Sequence, residues 1–322
     1  MNLGLTFDLQ TDPSDPSQAE FDPPRVIDAL CAALESLGHR VWRLGGAFEL
    51  LADPNRLSGL DLVFNIAEGA HGRCREAVVP TLLERHGVPY VGSGPSALAA
   101  GLDKVLCKRL ALASGLRTPA WRCVDHPSAW SAELPAPFPL IVKPRYEGSG
   151  IGIDEGAIVH DRGQLVQRIE YLCERWRQPA LVEAFLPDGE LTVCVIGNDP
   201  PRAYPAIQRP LDPVTRLSCH VVRSAHAWEA PVELTPALEE EAGRIALSMF
   251  DALGCRDMAR VDLRVDRGEP VFLEINPLPT FDPEGSIGLL AECLGLTYAE
   301  LIGRILDATI IRLHRMAPRM RV

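Results

Sequence analysis

The stretch Met258-Ala-Arg-Val-Asp-Leu-Arg-Val-Asp-Arg-Gly-Glu-Pro-Val-Phe-Leu-Glu-Ile-Asn276 decides how the last third of the chain folds. Its odd positions in 261–265 and 271–275 are all apolar, whereas its even positions are mostly charged or polar. This alternation is typical of a half-buried antiparallel hairpin, because successive side chains on a strand point to opposite faces. The segment 266–268 ends in Gly268, which predicts a three-residue loop with the glycine in the left-handed conformation.

The predicted hairpin gathers four polar side chains on one face, namely Arg260, Asp262, Glu274 and Asn276. The expected loop pairs Arg260 with Glu274 and Asp262 with Phe272, a register that keeps the polar positions on the same side. Two carboxylates, an amide oxygen and a cation in one place suit Mg²⁺ that carries phosphate oxygens. By itself the pattern also fits a sheet with one solvated charged face. Other motifs in the chain are needed to distinguish this interpretation from a metal site.

Composition and charge argue against several classes of protein. The chain has 322 residues, of which 47% are hydrophobic and 23% are charged, as in an ordinary globular protein. Its net charge of −11 argues against a nucleic-acid partner, although a phosphate ligand needs only a few local cations. No apolar run approaches the length of a membrane span, and the N-terminus lacks the pattern of a secretion signal. The nine cysteines form no CxxC pair, which favours reduced thiols in a cytoplasmic protein.

The order of predicted strands and helices indicates an α/β fold with an α+β part, divided into three domains. Residues 1–101 alternate strand and helix, as in an open α/β domain. Residues 102–179 form a smaller α+β unit that contains a glycine-rich loop. Residues 180–322 begin with two strands, the first at 180–185, and continue through a long helix to the hairpin and an amphipathic C-terminal helix.

A glycine-rich loop follows an apolar strand in Lys143-Pro-Arg-Tyr-Glu-Gly-Ser-Gly-Ile-Gly152. Glycines let backbone N–H groups approach phosphate oxygens, and the lysine supplies the matching charge. The spacing differs from that of a GxxxxGK[ST] loop, and the chain holds no GxGxxG, so those two nucleotide folds are disfavoured. Taken alone, the loop also fits a turn without any chemical role.

A hydrophobic strand and a short turn come next, in Leu181-Val-Glu-Ala-Phe-Leu186 and Asp188-Gly-Glu-Leu-Thr-Val193. The end of such a strand can offer backbone groups to the edge of an adenine. Glu183 and Glu190 are suitable acceptors for the exocyclic amine and the ribose hydroxyls. Read in isolation, both residues are more often surface glutamates.

The order and spacing of these motifs resemble the ATP-grasp enzymes and, within them, D-alanine–D-alanine ligase and its relatives. Asp103-Lys104 with Lys108 looks like the start of that family's central domain, and Tyr90-Val-Gly-Ser-Gly94 looks like the turn before it. The glycine-rich loop is similar to its phosphate loop, and the polar hairpin is similar to its metal and oxyanion site. The likeness covers nearly the whole chain and implies a three-domain ATP-grasp architecture, with ATP between the central and C-terminal domains.

The resemblance implies a role for each matching residue. Lys104 and Lys143 would hold the ATP phosphates, while Glu147, Ser149 and the loop amides would close over them. Arg260 would stabilise the negative oxygen of a tetrahedral intermediate. Two Mg²⁺ ions, with Mn²⁺ as an alternative, would be bound by Asp262, Glu274 and Asn276. The adenosine pocket would be lined by Glu183, Phe185, Leu186 and Glu190.

The chain departs from the family where the substrates would bind. Thr280 stands where a glycine amide would help to form the oxyanion site. Ser286 is an approximate match to a serine that binds the second substrate's carboxylate. The family's flexible loop is altered here, so Arg209 or Arg216 is expected to supply its missing charge.

The N-terminal substrate residues are altered as well. Glu20 or Asp22 is expected to hold the first amino group, and His71 is expected to contact substrate. An alignment that starts from the preceding strand puts Glu68 in the place of His71. The predicted catalytic residues are Arg260, Ser149 and Glu20.

These resemblances imply an ATP- and Mg²⁺-dependent ligase that joins a carboxylate to an amine through an acyl phosphate. Its substrates would be amino acids or similar small molecules, and the protein would be a cytoplasmic homodimer without nucleic-acid or membrane partners. One alternative is D-alanine–D-alanine ligase proper of cell-wall synthesis. Another is a nucleotide-binding protein of the same fold without catalytic activity.

Overall fold

The computed structural model describes residues 1–126, 133–218 and 229–316. Within these ranges the chain forms three β-sheets with helices packed against them. The order of helices and strands agrees with the predicted α/β fold that contains an α+β part.

The first sheet is built from parallel strands near the N-terminus. Its elements, in chain order, are β1 (Asn2–Thr6), α1 (Pro24–Ser36), β2 (Arg40–Gly45), α2 (Ala47–Ala52), β3 (Leu62–Asn65), α3 (Val78–His86), β4 (Tyr90–Val91) and α4 (Pro95–Gly101). The strand order is β2-β1-β3-β4, and β1 and β3 are buried because helices cover the sheet. The helix α3 begins at Val78, directly after a 3-10 turn at Arg75–Ala77.

The second sheet is antiparallel and lies in the middle of the chain. Its region contains α5 (Lys104–Ala113), β5 (Trp121–Val124), β6 (Leu140–Pro144), β7 (Ile158–Val159), α6 (Arg162–Trp176) and β8 (Ala180–Ala184). The strand order is β5-β8-β6-β7, and α6 packs on this sheet through Leu165, Ile169 and Leu172. The strand β8 therefore belongs to the second sheet, although the predicted division at residue 180 assigns it to the third domain. The division into domains otherwise stays a prediction.

The third sheet carries the hairpin. Its elements are β9 (Gly189–Ile196), β10 (Arg202–Ala203), β11 (Ile207–Arg209), α7 (Pro236–Leu253), β12 (Met258–Asp266), β13 (Glu269–Asn276), α8 (Ser286–Cys293) and α9 (Tyr298–Met316). The order is β10-β9-β12-β13, and β11 also pairs with β9. Apolar residues at odd positions of β9 and β12 pack against α5 and α7. Because side chains alternate along a strand, the even positions, which are mostly polar, lie on the opposite face of the sheet.

The hairpin forms as predicted, but its register is different. Asp266 pairs with Glu269, so the turn has only two residues, Arg267 and Gly268, with φ of 52° and 81°. Two-residue turns with both residues in the left-handed region match the twist of paired strands, which explains the shorter loop. The predicted three-residue loop was wrong, although Gly268 does adopt the left-handed conformation.

A bulge then restores the polar face that the shorter turn would have disrupted. The register shifts between Asp262 and Leu263, so Asp262 pairs with Glu274 and Arg260 pairs with Asn276. The predicted pairs Arg260–Glu274 and Asp262–Phe272 were therefore wrong. Phe272 is buried in the core beneath α7, and Leu273 lies on the cleft side of the sheet instead. One extra residue at the bulge returns Glu274 to the face that Asp262 occupies.

Two further sequence expectations concern membrane association and disulfides. Among the described residues, no helix combines the length and the apolar character that crossing a membrane requires. The eight cysteines within the described ranges are all free thiols, and Cys219 lies outside those ranges.

Candidate active site

Two clefts adjoin each other where the three sheets meet. The first cleft lies between the second and third sheets, and it is lined by Lys143, Glu183, Phe185, Leu186, Glu190, Arg209, Asp262, Arg264 and Ser286 among others. The second cleft lies beside the first sheet, and it is lined by Glu20, Asp22, Glu68, Glu76, Lys104, Glu147 and Asn276 among others. Both clefts are lined by Ser149, Arg260, Glu274 and Thr280. These four residues therefore mark the junction at which ligands in the two clefts would meet.

A buried group of two lysines and one glutamate lies at the back of the first cleft. Glu183 on β8 contacts Lys108 from α5 and lies 2.5 Å from Nζ of Lys143 on the adjacent strand β6. Glu183 and Lys108 are both 0% exposed. Burial alone raises the pKa of Glu183, but the two ammonium groups outweigh it and hold that pKa below its usual value. The group carries more positive than negative charge, which suits an anionic ligand.

Glu183 is buried, and its carboxylate is paired with the two lysines. It also lines the first cleft, and its role as an adenine acceptor stays a prediction. Lys108 is the partner that sequence reasoning left without a role. Lys104 and Lys108 are four residues apart, so they lie on one face of α5, one turn from each other. This spacing is the sequence signal that could have identified Lys108 as a site residue. Lys108 also donates a hydrogen bond to Oγ1 of Thr118 at 3.0 Å.

The outer part of the first cleft places an arginine over an aromatic ring. The guanidinium of Arg264 lies 5.6 Å from the ring centre of Phe185 and 3.3 Å from the carboxylate of Glu190. Arg209 lies 3.8 Å from the same carboxylate and donates a hydrogen bond from Nε to Thr192 at 2.9 Å. Arg264 was not among the predicted site residues, although the alternation that marked Arg260 and Asp262 marks it too.

The polar face of the hairpin forms a connected group at the junction. Arg260 donates from Nη2 to Asp262 at 2.9 Å, and Asn276 donates from Nδ2 to the same oxygen at 3.1 Å. Thr192 on the neighbouring strand β9 donates to the other oxygen of Asp262 at 2.7 Å. Glu274 lies 3.3 Å from Nζ of Lys104. Burial opposes ionisation of Glu274, but Lys104, Lys143 and Arg260 lower its pKa well below the usual value.

The donor set of this group fits a hard divalent cation such as Mg²⁺. Asp262 and Glu274 are cross-strand neighbours, and the cations Lys104, Lys143 and Arg260 lower the pKa of Glu274. Asn276 uses its amide nitrogen toward Asp262, and its amide oxygen accepts no hydrogen bond within the described ranges. No cluster of three or more His, Cys, Asp or Glu side chains with a metal-binding arrangement occurs in the described residues. Two carboxylates and one amide oxygen are nevertheless the type of set that binds Mg²⁺ together with substrate phosphates.

The glycine-rich loop is held over the junction by residues from distant parts of the chain. Lys104 donates from Nζ to the carbonyl of Glu147 at 2.5 Å, and the amide of Gly148 donates to Glu20 at 3.0 Å. The side chain of Glu147 accepts from Gln178 at 2.6 Å. Ser149 follows with a φ of 48°, a strained conformation for a residue other than glycine. The loop thus brings Ser149 to the junction, and its role in binding phosphate stays a prediction.

The second cleft is strongly acidic. Arg75 donates from Nη2 to Glu20 at 2.6 Å, and this pair lies close to Glu68 and Glu76. Burial is the main cause that raises the pKa of both Glu68 and Glu76, and their mutual repulsion adds to it for Glu68. His71 is exposed and lines neither cleft, so the structure does not bring it to the site. The alternative alignment, which put Glu68 in that place, agrees with the geometry.

Thr280 and Ser286 complete the junction on the C-terminal side. Thr280 lines both clefts, and Ser286 is the first residue of α8, after its cap Gly285. The hydroxyl of Ser286 is buried and has no hydrogen-bond partner among the described residues. An unpaired hydroxyl beside the free N–H groups of a helix start suits an anionic ligand such as a carboxylate.

Comparisons with known proteins agree with this geometry. Residues 114–307 match the model of the D-ala D-ala ligase C-terminus. The chain is 34% identical to a D-alanine–D-alanine ligase of Synechococcus sp., over 85% of this chain and 84% of that protein. It is also 33% identical to an uncharacterized protein, y4sG, of Sinorhizobium fredii, over 88% of this chain and 87% of that protein.

Solved structures share the fold at lower identity. The D-alanine–D-alanine ligase of Bacillus anthracis complexed with ATP superposes with a TM-score of 0.76 at 22% identity, over 98% of this chain and 99% of that one. The VanG D-Ala:D-Ser ligase of Enterococcus faecalis superposes with a TM-score of 0.75 at 18% identity, over 96% of this chain and 99% of that one. These similarities confirm the predicted ATP-grasp fold. The chain belongs to the D-alanine–D-alanine ligase family and is an ATP-dependent, ADP-forming C–N ligase.

Proposed function

We propose that this protein joins the carboxylate of one amino acid, or amino-acid-like molecule, to the amine of another through an acyl phosphate. The observation that carries the proposal is the junction of the two clefts at Ser149, Arg260, Glu274 and Thr280. A nucleotide in the first cleft would point its phosphates to the same place that a substrate carboxylate reaches from the second cleft. Phosphoryl transfer needs this approach of two anions, and the surrounding cations make it favourable.

The chemistry takes place in two steps. A carboxylate oxygen of the first substrate attacks the terminal phosphorus of ATP, the bond from that phosphorus to the bridging oxygen breaks, and ADP leaves. The amine of the second substrate then attacks the acyl carbon. The new C–N bond forms as the bond from that carbon to the phosphate oxygen breaks, and the amine releases a proton.

Residues near the junction supply charge for the first step. Lys143 and Lys104 neutralise phosphate oxygens, since each lies at the cleft wall with its ammonium group near the junction. Mg²⁺ held by Asp262, Glu274 and Asn276 would neutralise the transferred phosphoryl group. The relatives' names support amino-acid substrates, and the solved structure from Bacillus anthracis, which was complexed with ATP, supports ATP.

The junction residues serve the second step. Arg260 would stabilise the oxyanion that develops on the acyl carbon, because its guanidinium lines both clefts and is fixed by Asp262. Ser286 and the start of α8 would hold the carboxylate of the second substrate. The acidic second cleft would hold the amino group of the first substrate, with Asp22 better placed for it than Glu20, which is already paired with Arg75.

Release of ADP in the presence of D- and L-amino acids, offered singly and in pairs, tests this function. We expect ADP to appear only with a suitable pair, together with a product whose mass corresponds to the two substrates minus water. Tight ATP binding without turnover on any pair would instead support the alternative of a non-catalytic nucleotide-binding protein.

D-alanine–D-alanine ligase activity is the second candidate, and the names of the curated relatives favour it. Strict use of D-alanine in the same assay would establish it. Two Mg²⁺ ions per site, a homodimer and a cytoplasmic location remain predictions from the family resemblance.

A further inference from the structure

The second cleft contains more carboxyl groups than the α-amino group of one substrate requires. Some of them are already paired within the protein, since Glu20 accepts from Arg75 and Glu274 lies beside Lys104. Three others, Asp22, Glu68 and Glu76, line the cleft and have no hydrogen bond or ion pair from a side chain in the described ranges.

The unpaired carboxyls are deeply placed. Asp22 is 8% exposed and Glu76 is 7% exposed, so the little surface that they retain faces the cleft. A buried carboxylate without a partner is costly, and a cation that enters the cleft removes that cost. Burial is the largest cause that raises the pKa of each of the three groups. Arg75 lowers the pKa of Glu68 and Glu76, and Lys104 lowers that of Glu76, but neither cation outweighs burial.

The form of the cleft favours an organic cation over a metal ion. No three acidic side chains in the described part of the chain stand in a metal-binding arrangement. Phe21, Val26 and Leu278 line the same cleft and offer apolar surface to an aliphatic stem. The cleft also reaches Arg260 and the glycine-rich loop, so a molecule bound there can present its carboxylate at the junction.

We infer that the first substrate is a diamino acid, whose side-chain ammonium is bound by Glu68 and Glu76 while Asp22 contributes to the site of its α-ammonium. This inference rests on the proposed ligase function and specifies its substrate class. The carboxylate of the diamino acid is the group that is activated, and its second ammonium takes no part in bond making.

Matched pairs of amino acids test the inference. Lysine, ornithine and 2,4-diaminobutyrate, as both enantiomers, are compared as first substrates with norleucine, norvaline and 2-aminobutyrate, which lack the second ammonium. We expect kcat/KM for ADP release to be roughly tenfold to hundredfold higher for the diamino acid of the best pair, the range for hydrogen bonds to a charged group. Equal or better turnover of the neutral amino acids would overturn the inference and leave the ligase function standing.

Two variants locate the effect. In Glu68→Gln and in Glu76→Gln, the ratio of kcat/KM for the diamino acid to kcat/KM for its neutral counterpart should fall at least about tenfold. Glu35→Gln, an exposed glutamate of α1, is the matched control and should keep the preference. A preference that survives in both cleft variants would contradict the assignment of these carboxyls.

If no pair of amino acids gives ADP, the proposed ligase function is refuted. Measured binding affinities then test the inference about the diamino acid separately. Calorimetry with ADP and Mg²⁺ present measures the affinity of the same amino acids. Tighter binding of the diamino acids, lost in Glu76→Gln, would support the inference, while affinities that are independent of the second ammonium would overturn it.

Discussion

Replacing Glu183 with glutamine tests the reasoning about the buried charges behind the first cleft. In the native protein Glu183 balances Lys108 and Lys143, and all three side chains are at most 4% exposed. Glutamine has nearly the same shape but no charge, so two ammonium groups would face each other without a counter-charge. Removing one member of a buried ionic group typically costs about 3–5 kcal/mol of unfolding free energy.

The variant can limit this cost by releasing one proton. For a lysine with an ordinary pKa near 10.4, losing the proton at pH 7.5 costs about 4 kcal/mol of free energy. The loss of unfolding free energy in the variant cannot exceed this value, because deprotonation removes the repulsion between the two lysines. At pH 9 the same release costs only about 2 kcal/mol. The lysine pKa is lower in the folded variant than in the unfolded chain, so the unfolded chain binds more protons and the stability of the variant rises with pH.

Urea unfolding of wild type and Glu183→Gln at pH 7.5 and pH 9 measures both effects. We expect a loss of about 3–4 kcal/mol at the lower pH and about half of that at the higher pH. The double variant Lys108→Met with Glu183→Gln should be less destabilised than the single variant, because one of the opposed charges is gone. Glu170→Gln, on the exposed side of α6, is the control. A loss below about 1 kcal/mol, or one that does not depend on pH, would refute the reasoning.

Three further predictions concern the junction and the second cleft. Asp262→Asn should lower the rate of ADP release roughly 1000-fold, because it removes a charge that would bind Mg²⁺, while far-UV circular dichroism shows that the variant is still folded; an unchanged rate would refute the metal assignment. Ser286→Ala should raise KM for the second substrate roughly tenfold yet leave the protein equally or more stable, because the lost hydroxyl has no partner; an unchanged KM would contradict its role. Burial and, to a lesser degree, Asp282 and Asp8 raise the pKa of Asp22 from 3.8 to about 7. Because the folded protein then holds a proton that the unfolded chain releases, unfolding free energy should fall between pH 4 and pH 7, by up to about 4 kcal/mol more than in Asp22→Asn. Parallel stability curves for the two proteins would refute this, and the exposed Asp251→Asn is the control.

The sequence predicted the polar face of the hairpin because alternation along a strand is a local property. Arg260, Asp262, Glu274 and Asn276 do share one face of the third sheet. Their pairing was wrong because it depends on which turn the chain chooses and on where a bulge compensates. Phe272 and Leu273 exchange faces at that bulge, and neither residue type signals this in the sequence.

Other parts of the site depend on contacts between distant segments. Lys108 meets Glu183 only because α5 packs behind a strand that lies 75 residues later in the chain. Arg75 and Glu76 reach the second cleft from a 3-10 turn, whereas His71, a more conspicuous residue in the sequence, remains exposed. Such positions follow from the packing of whole domains, which local patterns do not encode.

The fate of the carboxylate oxygen tests the central claim most directly. The first substrate is prepared with ¹⁸O in its carboxylate and incubated with ATP, Mg²⁺ and the second substrate, and the released phosphate is examined by ³¹P NMR. An acyl phosphate predicts that one labelled oxygen appears in inorganic phosphate for each amide bond formed, with ADP as the other product. Amide formation that leaves inorganic phosphate unlabelled, or that releases AMP, would contradict the account.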